Sequence, residues 1–189
     1  MFNIKNNLTI EQNYNLGLLP QRNLPGSFYQ ESSCRADLTN FKISSENRRI
    51  LRKTEQFTFT KILLKNFSYT PEIQKQISCW VKELGWDFPT SSIKTVFTKH
   101  LFNYLYIWQF EQHEVAYSVC YISKSISHIA YVFYNPKFSH SDLPIRLVLQ
   151  TIIDSQQLGL KYCYLGRYSP YKHNMPGFQN FENNNWQNS

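Results

Sequence analysis

The stretch SHIAYVFYNPKFSHSDLPIRLVLQTIIDSQQLGLKYCYLGRY, residues 127–168, decides the fold. Residues 127–134 carry the β-branched and aromatic side chains of a buried strand. Asn135–Pro136 stops that strand and a polar loop follows. The apolar spacing from Asp142 to Leu158 then predicts a helix, closed at its C′ position by Gly159. Residues 161–166 read as a second short strand ending in glycine, ahead of Arg167 and Tyr168. This is one βαβ unit, close to the shortest that allows a parallel pair with a crossover helix. Ligands of open α/β sheets bind beyond the carboxyl ends of such strands, which directs attention to Tyr134, Asn135, Gly166 and Arg167.

Outward from that unit, residues 115–122 and 101–111 alternate as strands, and Gln112–His113 connects them as a hairpin. Two helices precede the hairpin. One starts at Thr70–Pro71, with Thr70 as N-cap, runs to about Leu84 and carries the apolar stripe Ile73, Ile77, Trp80, Val81 and Leu84. The other is capped by Thr90 or Ser91 and carries Ile93, Val96, Phe97 and Leu101. Gln56–Lys65 reads as a strand, and Ala36–Phe41 as a shorter one. Ser44 opens a basic helix in which Ile50 and Leu51 face the core, leaving Arg48, Arg49, Arg52 and Lys53 to solvent or to a phosphate. Residues 1–30 show no sustained period and are broken by Pro20, Pro25 and Gly26. They read as an extension packed on, or flexible beside, a single domain of residues 31–189.

A net charge of +7 favours an acidic partner such as an RNA backbone. The four cysteines (Cys34, Cys79, Cys120, Cys163) form no Cys-x-x-Cys, and no histidine stands at zinc spacing, so reduced thiols and no metal are expected. The five histidines form no recognisable pair, and no histidine base is expected. With no signal peptide, lipidation motif or long apolar run, the expectation is a cytoplasmic protein that does not touch membrane.

This order of elements is similar to that of GNAT-type acyltransferases. The expected class is α/β, with a mixed, mostly antiparallel sheet and a splayed parallel strand pair around a central helix. Acyl-CoA users of that fold carry a glycine-rich turn before the central helix, where backbone N–H groups reach a pyrophosphate. Residues 135–144 contain no glycine, and Asp142 sets a negative charge at the helix entry. Asp142 or Ser141 as N-cap would satisfy the donors a phosphate needs, so coenzyme A is disfavoured.

Two patches resemble arginyl- and leucyl-tRNA–protein transferases. Tyr131–Val132–Phe133–Tyr134–Asn135–Pro136 matches an aromatic–aromatic–Asp–Pro strand end, and residues 158–166 match Leu-Gly-Leu-x-Tyr-x-Tyr-Leu-Gly. Tyr171–Lys172, Phe181–Glu182 and Trp186 resemble the family's tail. Upstream, Cys34–Arg35–Ala36 and residues 44–53 resemble a Cys-x-x-Cys-Arg-Ala-Cys segment followed by a basic Ser-x-x-x-Arg-Arg-x-Leu-Arg-Arg helix. Glu31 and Asp37 stand where flanking cysteines would, so Cys34 alone remains and an iron–sulfur cluster is not expected. Asn135 replaces the aspartate of the Asp-Pro step, which leaves the donor amino acid and the acceptor open.

The resemblance implies transfer of an amino acid from charged tRNA to an amine of a protein or peptide, with no other cofactor. Placing an α-amine about 3–3.5 Å from the ester carbonyl supplies most of the acceleration such a reaction needs. Tyr134, Asn135 and Gly166 are then the catalytic candidates. Tyr131, Tyr164, Arg167, Tyr168, Tyr171 and Lys172 are the substrate-binding ones, and Arg35, Arg48, Arg49, Arg52 and Lys53 the tRNA contacts. Two other readings stay open: a CoA-dependent N-acetyltransferase, and a non-catalytic tRNA- or protein-binding descendant of the fold.

Overall fold

The computed structural model describes residues 3–4, 8–99 and 101–188; His100 lies outside the described residues. In chain order the elements are β1 (Asn3–Ile4), α1 (Ile10–Asn15), β2 (Leu18–Pro20), β3 (Phe28–Gln30), β4 (Ser33–Asp37), α2 (Ser45–Lys53) and β5 (Thr58–Leu63). Next come α3 (Pro71–Glu83), α4 (Thr90–Thr98), β6 (Tyr104–Phe110), β7 (His113–Ile122) and β8 (Ile126–Tyr134). The chain finishes with α5 (Leu143–Gln157), β9 (Tyr162–Arg167), β10 (Phe178–Glu182) and β11 (Asn185–Asn188).

Local chemistry explains most boundaries. Ser44 and Asn47 exchange side-chain-to-backbone bonds in a capping box that starts α2. Thr70 caps α3 with Pro71 in its first turn, as its sequence predicts. Three readings shift. Strand β4 ends at Asp37 rather than running on to Phe41, because the Asp37 carboxylate accepts from Thr39 N–H and caps a 3₁₀ turn over Leu38–Asn40. Helix α4 has Pro89 at its N-cap and no side-chain cap, so neither Thr90 nor Ser91 caps it; it ends at Thr98, short of Leu101. The β6–β7 turn is Glu111–Gln112, both at positive φ (48° and 65°), one residue earlier than Gln112–His113. That twist suits a two-residue hairpin and leaves His113 to pair with Phe110.

Eight strands form one sheet in the order β11-β10-β4-β9-β8-β7-β6-β5. Every neighbouring pair is antiparallel except β8–β9, which is parallel. Helices α2 and α5 cover one face. There Ile50, Leu143, Leu147, Leu149 and Ile152 pack on Tyr106, Trp108, Cys120, Ile129 and Cys163. Helices α3 and α4 cover part of the other, where Ile77, Trp80, Val81, Ile93 and Phe97 meet Leu105, Tyr117, Val119 and Phe133. Trp80, 6% exposed, is a core residue. Residues 8–30 lie on the large sheet: Tyr14 and Leu19 pack with Ile126 and Tyr164, and the Trp186 indole donates to the Asn15 carbonyl at 2.8 Å.

Arg35 and Tyr164 fasten this corner, which corrects their reading as a tRNA contact and a pocket residue. Strand alternation turns Arg35 inward, and its guanidinium lies 3.6 Å from the Tyr162 ring centre and 4.1 Å from that of Trp186. Its Nε donates to Gln179 Oε1 at 2.8 Å. Tyr164 is fully buried; its hydroxyl donates to Asn15 Oδ1 at 2.8 Å and accepts from Arg35 at 3.4 Å. A cation held between two aromatic faces contributes through both packing and charge. We expect Arg35→Ala to lower unfolding stability by about 3 kcal/mol in urea titration, with no change in the salt slope of any tRNA binding.

Candidate active site

The β8–β9 ladder holds only three pairs, Ile126↔Tyr162, Ser127↔Cys163 and His128↔Tyr164. Beyond His128 the strands part. The β7–β8 register shifts at Val119/Cys120, so that Val119 pairs with Tyr131 and Cys120 with Ile129, and Ala130 is the extra residue of a bulge. A bulge bends its strand and strengthens the local twist. Strand β9 instead follows β4, pairing Gly166 with Cys34 and Arg167 with Ser33. The separation begins six residues before Asn135, the point at which the strand ends would predict it.

Two cavities flank the opening. One, of about 210 Å³, is lined by Leu19, Pro20, Arg22, Tyr29, Phe102, His128, Ala130, Tyr131, Gly166 and Arg167. The other, of about 300 Å³, lies at the first turn of α5 and is lined by Trp86, Val132, Tyr134, Ser139, Pro144, Ile145, Val148 and Tyr171. Tyr131, Gly166 and Arg167 therefore share the first cavity, and Tyr134 and Tyr171 share the second. Gly166 has φ +76°, and a Cβ there would lie 3.5 Å from His128 Nε2. Glycine thus adopts the left-handed backbone and leaves that space open.

Other candidates sit differently. Asn135 lines neither cavity; its side chain accepts from Lys137 N–H at 3.0 Å and shapes the turn after β8. Tyr168 packs toward Phe178 and His173, away from the opening. Lys172 is occupied by backbone: its ammonium donates to the carbonyls of Leu165 at 2.7 Å and Arg167 at 2.6 Å. Burial lowers its pKa. Cys34 donates its S–H to the Gly166 carbonyl at 3.4 Å, and burial pushes its thiol up to about 11.

The basic helix is only partly free. Arg49 bonds Glu46 within its own helix and reaches Asp142 at 3.1 Å, and Lys53 Nζ lies 3.9 Å from the same carboxylate. Arg48 donates one N–H to the Ile43 carbonyl at 2.9 Å; Arg48, Arg52 and Lys53 are exposed. Asp142 does not cap α5: it sits at φ +61° with no side-chain bond to the helix, and the Ser141 hydroxyl turns back to the Phe138 carbonyl. The expected capping fails because Arg49 and Lys53 draw the carboxylate outward.

Sequence reasoning missed His128. It is 4% exposed, its Nδ1 lies 2.6 Å from the Tyr14 hydroxyl, and its Nε2 has no partner among the described residues although it is buried. Burial lowers its pKa to about 3, with the Lys172 charge adding to the effect. No local motif signals a partnership across 114 positions. Trp86 was missed likewise; it comes from the segment after α3 and meets the Tyr134 ring edge-on at 5.7 Å between ring centres.

Solved structures share this architecture. The C-terminal domain (DUF2156) of a "Putative Lysylphosphatidylglycerol Synthetase" from Agrobacterium fabrum aligns with a TM-score of 0.54 at 13% identity, over 72% of this chain and 46% of that one. The GCN5-related glucosamine N-acetyltransferase region of a fungal multi-domain GH3 β-N-acetylglucosaminidase aligns with a TM-score of 0.52 at 11% identity, over 79% of this chain and 19% of that one. A conserved protein of unknown function from Bacteroides thetaiotaomicron gives 0.52 at 10% identity, over 72% and 50%. The chain thus spans half or less of each of these, and the likeness establishes a GNAT-like fold. No curated protein sequence matches significantly. The family model described as "Arginine-tRNA-protein transferase, C terminus" matches residues 40–186, and by that match over most of its length the chain belongs to this family.

Proposed function

We propose that the chain transfers an amino acid from a charged tRNA to an amine of a protein or peptide, in the opening between β8 and β9. The observation that carries this reading is the parted parallel pair, with a cavity on each side, in a member of this family. The donor enters from the α5 side. Its cavity is lined by the first turn of α5, and the exposed cations of α2 lie beside that turn through the Arg49–Asp142 contact. The aminoacyl group lies against Tyr134, Tyr171 and Trp86, and the acceptor amine approaches through the cavity holding Tyr131, Gly166 and Arg167. The reading needs no resident cofactor. An α-amine with a pKa near 8 is partly free at neutral pH, so positioning outweighs base strength. Charged tRNA as donor implies action in the cytoplasm; no helix among the described residues is long and apolar enough to cross a membrane.

The decisive experiment incubates the chain with tRNAs charged with radiolabelled amino acids and with short peptides bearing free α-amines. Label moving to peptide supports the reading. Label that stays on tRNA bound no better than uncharged tRNA supports a binding protein instead, and acetyl transfer from acetyl-CoA would indicate the N-acetyltransferase.

Arg48→Glu with Arg52→Glu should weaken tRNA binding about tenfold at low salt and flatten its salt dependence by about two charges; unchanged affinity would make α2 an ordinary solvated face. Tyr134→Ala should cut kcat by about 10–100-fold while tRNA affinity changes by less than about threefold. Equal losses in both would place the aminoacyl group elsewhere.

A further inference from the structure

A buried polar atom without a partner costs stability, so a protein that keeps one where a ligand can arrive has a use for it. His128 Nε2 is such an atom. It belongs to the last pair of the β8–β9 ladder, lines the 210 Å³ cavity, and faces the space that Gly166 leaves open. Its other nitrogen is engaged by Tyr14, carried in by a helix 114 positions upstream. The Tyr14 ring is fixed on three sides, with Tyr164 at 4.8 Å, Phe28 at 6.2 Å and Tyr121 at 6.2 Å between ring centres.

The tautomer follows from counting donors and acceptors. If Nδ1–H donated to the Tyr14 oxygen, the phenol proton and the Nε2 lone pair would both lack partners. If the phenol donates to Nδ1, only Nε2–H is left over. The second arrangement leaves fewer buried groups unsatisfied. The imidazole is neutral: burial and the nearby Lys172 ammonium both oppose protonation. Among the described residues no carboxylate lines the cavity to reverse this; its other titratable groups are Arg22, Tyr29, Tyr131 and Arg167, and Glu31 pairs with Arg167 at 3.5 Å.

We infer that His128 contacts substrate, its Nε2–H donating to the carbonyl oxygen of the ester undergoing transfer while the Tyr14 hydroxyl holds the ring in that tautomer. The assignment rests on the transfer reading above. As the amine nitrogen bonds to the carbonyl carbon, the C=O π electrons move onto oxygen, where Nε2–H meets the growing negative charge. Collapse breaks the bond to the ribose oxygen. The proton lost by the amine passes through solvent to that leaving oxygen, giving an amide and a free ribose hydroxyl. His128 keeps its own proton throughout, so it acts as an electrophilic contact and not as a base.

The test measures single-turnover transfer from the radiolabelled aminoacyl-tRNAs to peptide for wild type, His128→Leu, His128→Gln and Tyr14→Phe. His128→Leu should lose about 10²–10³-fold in rate with tRNA affinity unchanged, and His128→Gln, whose amide can donate, should recover about tenfold of that. Tyr14→Phe is a positioning variant. It should mix the two neutral tautomers in ¹⁵N spectra of the histidine ring and lower the rate without changing affinity. In wild type those spectra should show one tautomer, protonated on Nε2 and unchanged from pH 8 to pH 5. The Nε2–H signal should move downfield when a non-hydrolysable 3′-aminoacylamido-adenosine binds. Should a leucine variant fail to fold, this wild-type measurement stands by itself. Wild-type transfer with an equally active His128→Leu, or an Nε2–H unmoved by the analogue, overturns the assignment and leaves the transfer reading intact. No transfer by wild type from any charged tRNA overturns both.

Discussion

Two parallel strands that stop pairing leave backbone groups that water or side chains must satisfy, and the whole site depends on how this is done. The Lys172 ammonium takes two β9 carbonyls, Leu165 and Arg167, just past the last β8–β9 pair. The bulge at Ala130 turns β8 aside, and Gly166 in a left-handed conformation presents no side chain to the space between. The charge that takes these β9 carbonyls also bears on the chemistry of the opening, because it raises the cost of protonating His128. Structural support and electrostatic tuning come from one lysine.

The covering of the opening is as important as the opening itself. α1 delivers Tyr14 to His128, and β2 with the turn after it brings Leu19, Pro20 and Arg22 over the cavity. On the other face the first turn of α5 and the segment after α3 close in with Pro144, Ile145 and Trp86. Each side of the sheet thus receives its own small chamber, walled by elements far apart in the chain. Basic α2 lines neither chamber but reaches the start of α5 through Asp142, and its charge is tempered by Glu46 and Asp142.

Features that depend on neighbours in sequence were legible. Thr70–Pro71 starts α3, Gly159 at φ +71° ends α5, and the β-branched and aromatic content of residues 127–134 makes a strand. The parallel pair could be read from its crossover helix, whereas its splaying was implied only by the likeness to GNAT-type acyltransferases. What the residues could not reveal is which distant group each side chain meets. Arg35 looks like a free cation until two rings close over it, and Tyr164 looks like a pocket wall until Asn15 arrives from 149 positions away. Asp142 resembles an N-cap by every local criterion, and loses that role to Arg49, 93 positions upstream. His128 shows the same limit from the other side: an unremarkable strand histidine acquires its meaning only beside Tyr14.

The place of β4 bears on where this protein can be cut. Strand β4 lies between β10 and β9, inside the sheet, yet its residues precede the family-matched stretch that begins at residue 40. A version trimmed to the matched limits would break the sheet into a five-stranded piece and the β10–β11 hairpin, and would strip away Tyr14 with it. For this chain the boundary of recognisable ancestry and the boundary of mechanical integrity are different lines, and only the second marks a unit able to fold.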